Sequence, residues 1–148
     1  IQDDKKVVLG LDGRKMSKSY GNVIPLLEDE KVLRKSVMKI VTNSLEPGVP
    51  KNSKDCTVFD LYRNFADDNS VAEFQDKYDN GISWGEAKEI LFSAINYELK
   101  PIRSRYEDLI KDKNYINDVL SEGSKNARLI AQEKISEIRE VIGIKKIS

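Results

Sequence analysis

Lys15 and Lys18 stand three residues apart, with Ser17 and Ser19 interleaved, in a polar stretch flanked by Gly10, Gly13 and Gly21 and closed by Asn22. Two ammonium groups on a segment that glycines allow to bend can follow the triphosphate of a nucleotide. Their charge contributes most where negative charge accumulates on departing pyrophosphate, because a cation aimed at the transition state lowers the barrier more than it tightens ground-state binding. Hydroxyls and backbone amides of the same stretch can fix the phosphate geometry, and mobility lets such a loop close over its ligand and reopen. An ordinary surface loop that holds these residues without chemistry is the plain alternative.

The rest of the composition removes most competing chemistry. The 148 residues include no histidine, which excludes a Ser-His-Asp or Cys-His apparatus and the common histidine-containing metal sites. Cys56 is the only cysteine, so neither a four-thiolate zinc site nor an internal disulfide is available, and a lone thiol suits a reducing cytoplasm. Adjacent acids such as Asp3-Asp4 and Asp67-Asp68 lack further oxygen ligands at loop spacing, and no metal site is expected. Basic and acidic residues balance at 25 each, so no global field holds nucleic acid; both ends are mildly basic and the middle is acidic. That leaves a modest nucleic-acid contact from the ends open beside the plainer reading of solvated, ion-paired helix faces.

The elements that must position the lysines follow from periodicity. Val7-Val8-Leu9, closed by Gly10, reads as the end of a strand whose partners lie outside the sequence, and Asp12 to Asn22 reads as a loop. Leu33, Val37, Ile40 and Val41 recur at helical spacing behind the acidic turn Glu28-Asp29-Glu30, and Pro47, Gly48 and Pro50 then enforce a loop. A second helix carries Val58, Phe59, Tyr62 and Phe65. A third is expected to open with the capping box Ser70-x-x-Glu73 and to end near Gly81. The longest starts at Ser83-x-x-Glu86 and runs to Ile110, with a kink or break expected at Pro101. Asn114 is expected to cap a short helix stopped by Gly123, and a last helix runs to Gly143. Six helical patterns with short connections make the expected fold all-α, a helical bundle.

Lys15-Met16-Ser17-Lys18-Ser19 matches the second signature of class I aminoacyl-tRNA synthetases, and the surrounding sequence resembles the tryptophanyl members of that class. Leu11-Asp12-Gly13-Arg14, Tyr20-Gly21-Asn22, Ile24-Pro25-Leu26 and Ile40-Val41-Thr42-Asn43-Ser44, read as the end of the first helix, carry the likeness. Gly81-Ile82-Ser83-Trp84-Gly85-Glu86-Ala87-Lys88, Pro101-Ile102-Arg103-Ser104-Arg105-Tyr106 and Glu122-Gly123-Ser124-Lys125-Asn126-Ala127 extend it over nearly the whole chain. The resemblance implies a two-step ligase that forms tryptophanyl-adenylate from ATP and passes the amino acid to tRNA(Trp), in the cytoplasm and as a homodimer, without a membrane. It implies that residues 1–27 are the C-terminal end of a Rossmann-like nucleotide-binding catalytic domain, with the lysine loop, and that 28–148 form a helical bundle of the anticodon-binding type.

On the same basis Lys15, Met16, Ser17, Lys18 and Ser19 contact ATP, with Lys15 and Lys18 as the catalytic pair, and Val8 lies beside the adenine. Mg2+ is expected with ATP in the complete enzyme. The histidine-bearing first signature and the tryptophan pocket are expected upstream of Ile1, so the sequence reads as an excerpt that does not activate tryptophan alone. Trp84, Lys88, Lys125 and Arg128 are candidate tRNA contacts; each also reads as an ordinary helix residue, Trp84 as a hydrophobic anchor. Arg103 and Arg105 are expected on a solvated face, paired with Glu107 or Asp108, and Cys56 is expected to be inert. Rival readings are another class I synthetase such as a tyrosyl enzyme, an autonomous RNA-binding module and a structural interaction domain.

Overall fold

A computed structural model describes residues 7–144. The described residues form five α-helices: α1 (Glu30–Met38), α2 (Thr57–Tyr62), α3 (Asp68–Asp79), α4 (Trp84–Lys111) and α5 (Lys113–Val141). Backbone contacts divide the chain into two compact units, Ile1–Ser104 and Arg105–Ser148. No helix among the described residues is long and apolar enough to cross a membrane.

The first unit is built on an aromatic core. Leu33 and Val37 from α1, Val58, Phe59 and Leu61 from α2, Phe74 and Tyr78 from α3, and Ala87, Leu91 and Ile95 from α4 are all buried. The Phe59 and Phe74 rings stack at 5.4 Å, and Tyr78 meets both edge-on at 5.1 and 4.9 Å. Such offset and edge contacts align the negative ring face with the positive ring edge, which adds to the area buried. Gly81 has φ +80°, and a β-carbon there would fall 2.4 Å from the Gly48 carbonyl carbon. That close approach lets the Gly48 amide donate to the Gly81 carbonyl at 2.8 Å, tying the proline-rich loop to the α3–α4 turn. Lys51 is buried against the same loop, its Nζ donating to the Glu46 and Val49 carbonyls and standing 5.5 Å from the Trp84 ring centroid.

In the second unit α5 has no buried residue, and Leu120, Leu129, Ile130 and Val141 are among its exposed apolar side chains. Lys134 pairs with Glu137 at 2.5 Å along the helix.

Several local expectations are corrected. Val7–Leu9 is not a strand: its pairing is an isolated antiparallel bridge from Leu9 to Lys15. The lysine loop turns back on itself and supplies the backbone partner. Helix α1 ends at Met38, so Ile40–Ser44 lies beyond it, outside any helix. Helix α2 ends at Tyr62, which leaves Phe65 outside it. Helix α3 is capped by Asp67, which accepts from the Ser70 amide at 2.7 Å, and not by Ser70. In α4 the Ser83 hydroxyl accepts from the Glu86 amide at 3.1 Å, the serine half of a capping box.

Pro101 does not break α4, which is continuous from Trp84 to Lys111. Proline withdraws the donor for the Tyr97 carbonyl. Tyr97 is exposed, and water can replace that donor. Asp112, not Asn114, caps α5 by accepting from the Tyr115 amide at 3.0 Å, and the helix runs through Gly123. One exposed glycine costs about 1 kcal/mol relative to alanine, whereas stopping there would leave a new set of unpaired backbone groups. Gly143, with φ +73°, follows the helix end as a left-handed cap. Arg103 is buried, not solvated: it donates to the Asn96 side chain and, at 3.4 Å, to the Glu28 carbonyl.

Candidate functional site

The lysine loop begins where Gly10 turns the chain. The Gly13 amide donates to the Gly10 carbonyl at 3.0 Å and the Gly10 amide to the Arg14 carbonyl at 2.7 Å. Gly13, at φ +77°, supplies the left-handed step of this turn. The Met16 amide donates to the Val8 carbonyl at 2.8 Å, so the segment carrying Lys15 runs back beside Val8. A single 3-10 turn, Lys18–Tyr20, follows and ends at Gly21 in the left-handed region. The loop is tied to the first unit by the Val41 amide, which donates to the Leu11 carbonyl at 2.9 Å.

At the centre of the loop is a buried side chain that the sequence reading did not assign, Asn22. Its Oδ1 accepts from the Ser17 amide at 2.8 Å. Its Nδ2 donates to Asp12 Oδ1 at 2.7 Å and to the Lys15 carbonyl at 3.1 Å. Both amide protons are therefore used, and one primary amide holds three points of the loop. Asp12 accepts in addition from the Arg14 amide at 3.1 Å and from Arg14 Nε at 2.7 Å. The Asn22 hydrogen bond, with help from Arg14, holds the Asp12 carboxyl well below its ordinary range, at about 2. The Arg14 guanidinium also lies 4.8 Å from the Tyr20 ring centroid, bridging the two ends of the loop.

This scaffold presents the expected phosphate contacts at the surface. Lys15, Lys18 and Ser19 are exposed, Met16 and Ser17 half-buried, and the Ser17 and Ser19 hydroxyls share a hydrogen bond at 2.8 Å. Among the described residues neither Lys15 nor Lys18 has an ion-pair partner, since the pairs are Arg14–Asp12, Arg34–Glu89, Lys111–Asp108 and Lys134–Glu137. Two free cations on a backbone braced from beneath can meet an anionic ligand without first breaking an internal pair. Val8 is exposed and, with Val7 and Leu9, lines a cavity of about 610 Å³ whose other walls include Lys54, Asp60 and Arg63.

The candidate tRNA contacts are dispersed. Trp84 is half-buried at the start of α4, edge-on to Tyr78 at 5.8 Å, with its indole N–H donating to Asn43 Oδ1 at 3.0 Å. Lys88 is half-buried too, and its Nζ donates to the Met38 carbonyl at 3.3 Å; burial pushes its pKa down. Lys125 and Arg128 are exposed on α5. Cys56 lies at the start of α2 with its Sγ 3.5 Å from the Tyr78 hydroxyl. Among the described residues no group of three or more histidine, cysteine or acidic residues is placed to hold a metal ion.

The profile of the tRNA synthetases class I (W and Y) matches residues 4–100, which is more than half of the chain. The chain belongs to this family of class I tRNA synthetases. Over 147 residues this synthetase chain is 43% identical to the tryptophan–tRNA ligase of Neisseria meningitidis, covering 99% of the chain and 44% of that protein. It is 42% identical over the same length to the tryptophan–tRNA ligase of Pseudomonas aeruginosa, where it covers 33%. The chain thus spans less than half the length of these curated relatives. Among solved structures, it superposes on tryptophanyl-tRNA synthetase from Campylobacter jejuni complexed with ADP and tryptophan with a TM-score of 0.90. The identity is 36%, over 96% of this chain and 45% of that one. A second structure of the same enzyme gives 0.84 at 37% identity. Over the matched part, the chain therefore shares the fold of those structures.

Proposed function

We propose that the chain is the C-terminal part of a tryptophan–tRNA ligase, in which residues 1–27 end the nucleotide-binding domain and 28–148 form the helical anticodon-binding domain. The observation that carries this reading is the lysine loop, with Lys15 and Lys18 exposed and unpaired among the described residues above a backbone braced by Asn22. The relatives' names support tryptophan as the amino acid.

In the complete enzyme tryptophan attacks the α-phosphorus of ATP, pyrophosphate leaves, and the tryptophanyl group then moves to the 3′ end of tRNA(Trp). Lys15 and Lys18 meet the phosphates, Lys18 taking the departing pyrophosphate, the Ser17 and Ser19 hydroxyls orient them, and Met16 completes the ATP-binding loop through its side chain, its amide being committed to the Val8 carbonyl. Val8 lies beside the adenine. Mg2+ accompanies the triphosphate; the one acid within the loop, Asp12, is committed to Asn22 and Arg14, so this loop offers no carboxylate for the ion and its lysines act on phosphate directly. Tryptophan is bound by the part of the enzyme outside this sequence. Trp84, Lys88, Lys125 and Arg128 contribute tRNA contacts, and the enzyme works as a cytoplasmic homodimer.

Tryptophan-dependent ATP–pyrophosphate exchange tests the reading. The full-length protein carries out the exchange and charges tRNA(Trp), while residues 1–148 alone do neither. Exchange dependent on tyrosine instead, or exchange by the isolated chain, would overturn it.

A further inference from the structure

The three hydrogen bonds of the Asn22 amide end on Asp12, Lys15 and Ser17, which are spread along the segment that turns the lysines outward. Because one contact is to the Lys15 carbonyl and one to the Ser17 amide, the peptide units on both sides of Met16 are fixed relative to a single rigid group. The direction in which Lys15 leaves the backbone is set by the first of these, held by Asn22, and by the Arg14–Lys15 peptide, whose carbonyl accepts from the Gly10 amide at 2.7 Å. Lys18 opens the 3-10 turn that begins directly after Ser17, so its direction depends on the same anchor. Asn22 is 4% exposed, and it lies so close to Gly10 that only a residue without a β-carbon fits there.

We infer that Asn22 is a positioning residue of the phosphate site, acting through the backbone of Lys15 and Ser17 and not by contact with the nucleotide. The inference rests on the proposed ligase reading for its kinetic consequence, and on hydrogen-bond geometry alone for its structural one. Asp12 is the second half of the device. It accepts one Asn22 proton and holds Arg14, so Arg14 is kept off the phosphate path and against Tyr20.

The two substitutions that separate this role from simple loss of stability are Asn22→Ala and Asn22→Asp. Alanine removes all three contacts. Aspartate keeps an acceptor for the Ser17 amide but sets a second carboxylate against Asp12, and two carboxylates at this separation cannot both ionise freely. The pair then shares a proton with a strongly raised second pKa. The charged group held against that pair is Arg14, which donates to Asp12; the other groups facing it are the Lys15 carbonyl and the Ser17 amide.

Hydrogen exchange on residues 1–148 reads the structural arm. Asn22→Ala speeds exchange of the Ser17 amide by at least about tenfold, the equivalent of one ordinary hydrogen bond, while core amides such as those of Leu91 and Ile95 are unchanged. Asn22→Asp, ionised at neutral pH, can donate to neither Asp12 nor the Lys15 carbonyl and is repelled by both, so the Ser17 amide loses protection although its acceptor remains; it regains part of it as the pH falls through the raised pKa of the pair, where a protonated carboxyl can again donate. Kinetics of the full-length enzyme read the functional arm. Asn22→Ala lowers kcat for adenylate formation by about 100-fold, the scale of a misplaced reacting group, with far less change in KM for ATP. Unchanged Ser17 protection in Asn22→Ala overturns the inference, as does a rise in KM with kcat intact. Absence of exchange activity in the unaltered full-length protein counts against the ligase reading instead, and leaves the hydrogen-exchange result to decide the role of Asn22.

Discussion

Gly10 and Asn22 pack so closely that a β-carbon on Gly10 would lie 2.4 Å from Asn22 Cγ and 2.6 Å from the Asn22 carbonyl oxygen. The second contact is to backbone, which cannot rotate away as a side-chain tip could. Gly10→Ala therefore pushes the two halves of the lysine loop apart. Chemical denaturation is expected to register about 1–3 kcal/mol of destabilisation, the usual range for overpacking. Faster exchange of the Ser17 amide accompanies it, and a variant that retained full protection would show that the loop closes without this contact.

The Asp12 carboxyl makes loop order pH-dependent in a definite direction. Its pKa is lowered to about 2 in the folded chain, first by the Asn22 hydrogen bond and then by Arg14. A depressed folded-state pKa contributes stability that is present above the unfolded value, about 3.9, and is lost as pH falls through the folded value. The loop is thus expected to stay ordered from neutral pH to about pH 4 and to loosen between there and about pH 2. Following the Asp12 carboxyl and the Arg14 side-chain signals by nuclear magnetic resonance checks this; loosening that begins near neutrality would point to another group.

Which residue caps α3 separates two readings of one sequence. Ser70-x-x-Glu73 has the form of a capping box, yet Asp67 accepts from the Ser70 amide and the helix starts at Asp68. Asp67→Ala is expected to lower stability by about 1 kcal/mol, within the range for loss of a helix cap. Ser70→Ala, inside the first turn, is expected to cost less. Thermal unfolding of the two variants ranks them, and the reverse order would restore Ser70 as the cap.

Gly123 sits inside α5, and a β-carbon there would meet nothing within 4 Å. Gly123→Ala should add about 0.5–1 kcal/mol of helix stability, since alanine loses less backbone freedom and meets no obstruction. Far-ultraviolet circular dichroism on heating measures it. A fall in helicity would show that the backbone at Gly123 needs a conformation that alanine resists.

These cases mark what was legible in the sequence. The helical patterns at Leu33–Val37, Val58–Tyr62, Val71–Tyr78 and Ala87–Ile95 are visible because apolar periodicity reports burial, and all fall on helices that form the core. Boundaries at Ser70, Pro101 and Gly123 were misplaced because a local capping or breaking signal loses to a competing cap one turn earlier, to hydration of an exposed turn, or to continuation of a long helix. Arg103 was placed in solvent because charge is the stronger sequence cue, although it lies four residues beyond Leu99 on the buried side of α4. The lysines of the loop could be singled out by type and spacing. Asn22 could not, because its role depends on the turn at Gly10 and Gly13 that brings Asp12, Lys15 and Ser17 around one amide; the only sequence trace is its place in the stretch that closes the motif.

The lysines themselves give the most direct check of the ligase reading. Among the described residues neither Lys15 nor Lys18 has a side-chain hydrogen bond or ion pair, and the Lys15 carbonyl that Asn22 holds survives truncation of the side chain. Lys15→Ala and Lys18→Ala should therefore fold with unchanged thermal stability. If the ammonium groups act on charge that develops as pyrophosphate departs, their loss falls on the transition state more than on bound ATP. Each substitution in the full-length enzyme is expected to lower the rate of adenylate formation by about 100- to 1000-fold, the range for removing one electrostatic stabiliser. The apparent ATP constant should rise by much less. Single-turnover formation of tryptophanyl-adenylate separates these quantities, and variants that weaken tRNA affinity while leaving adenylate formation intact would refute the assignment of this loop to ATP.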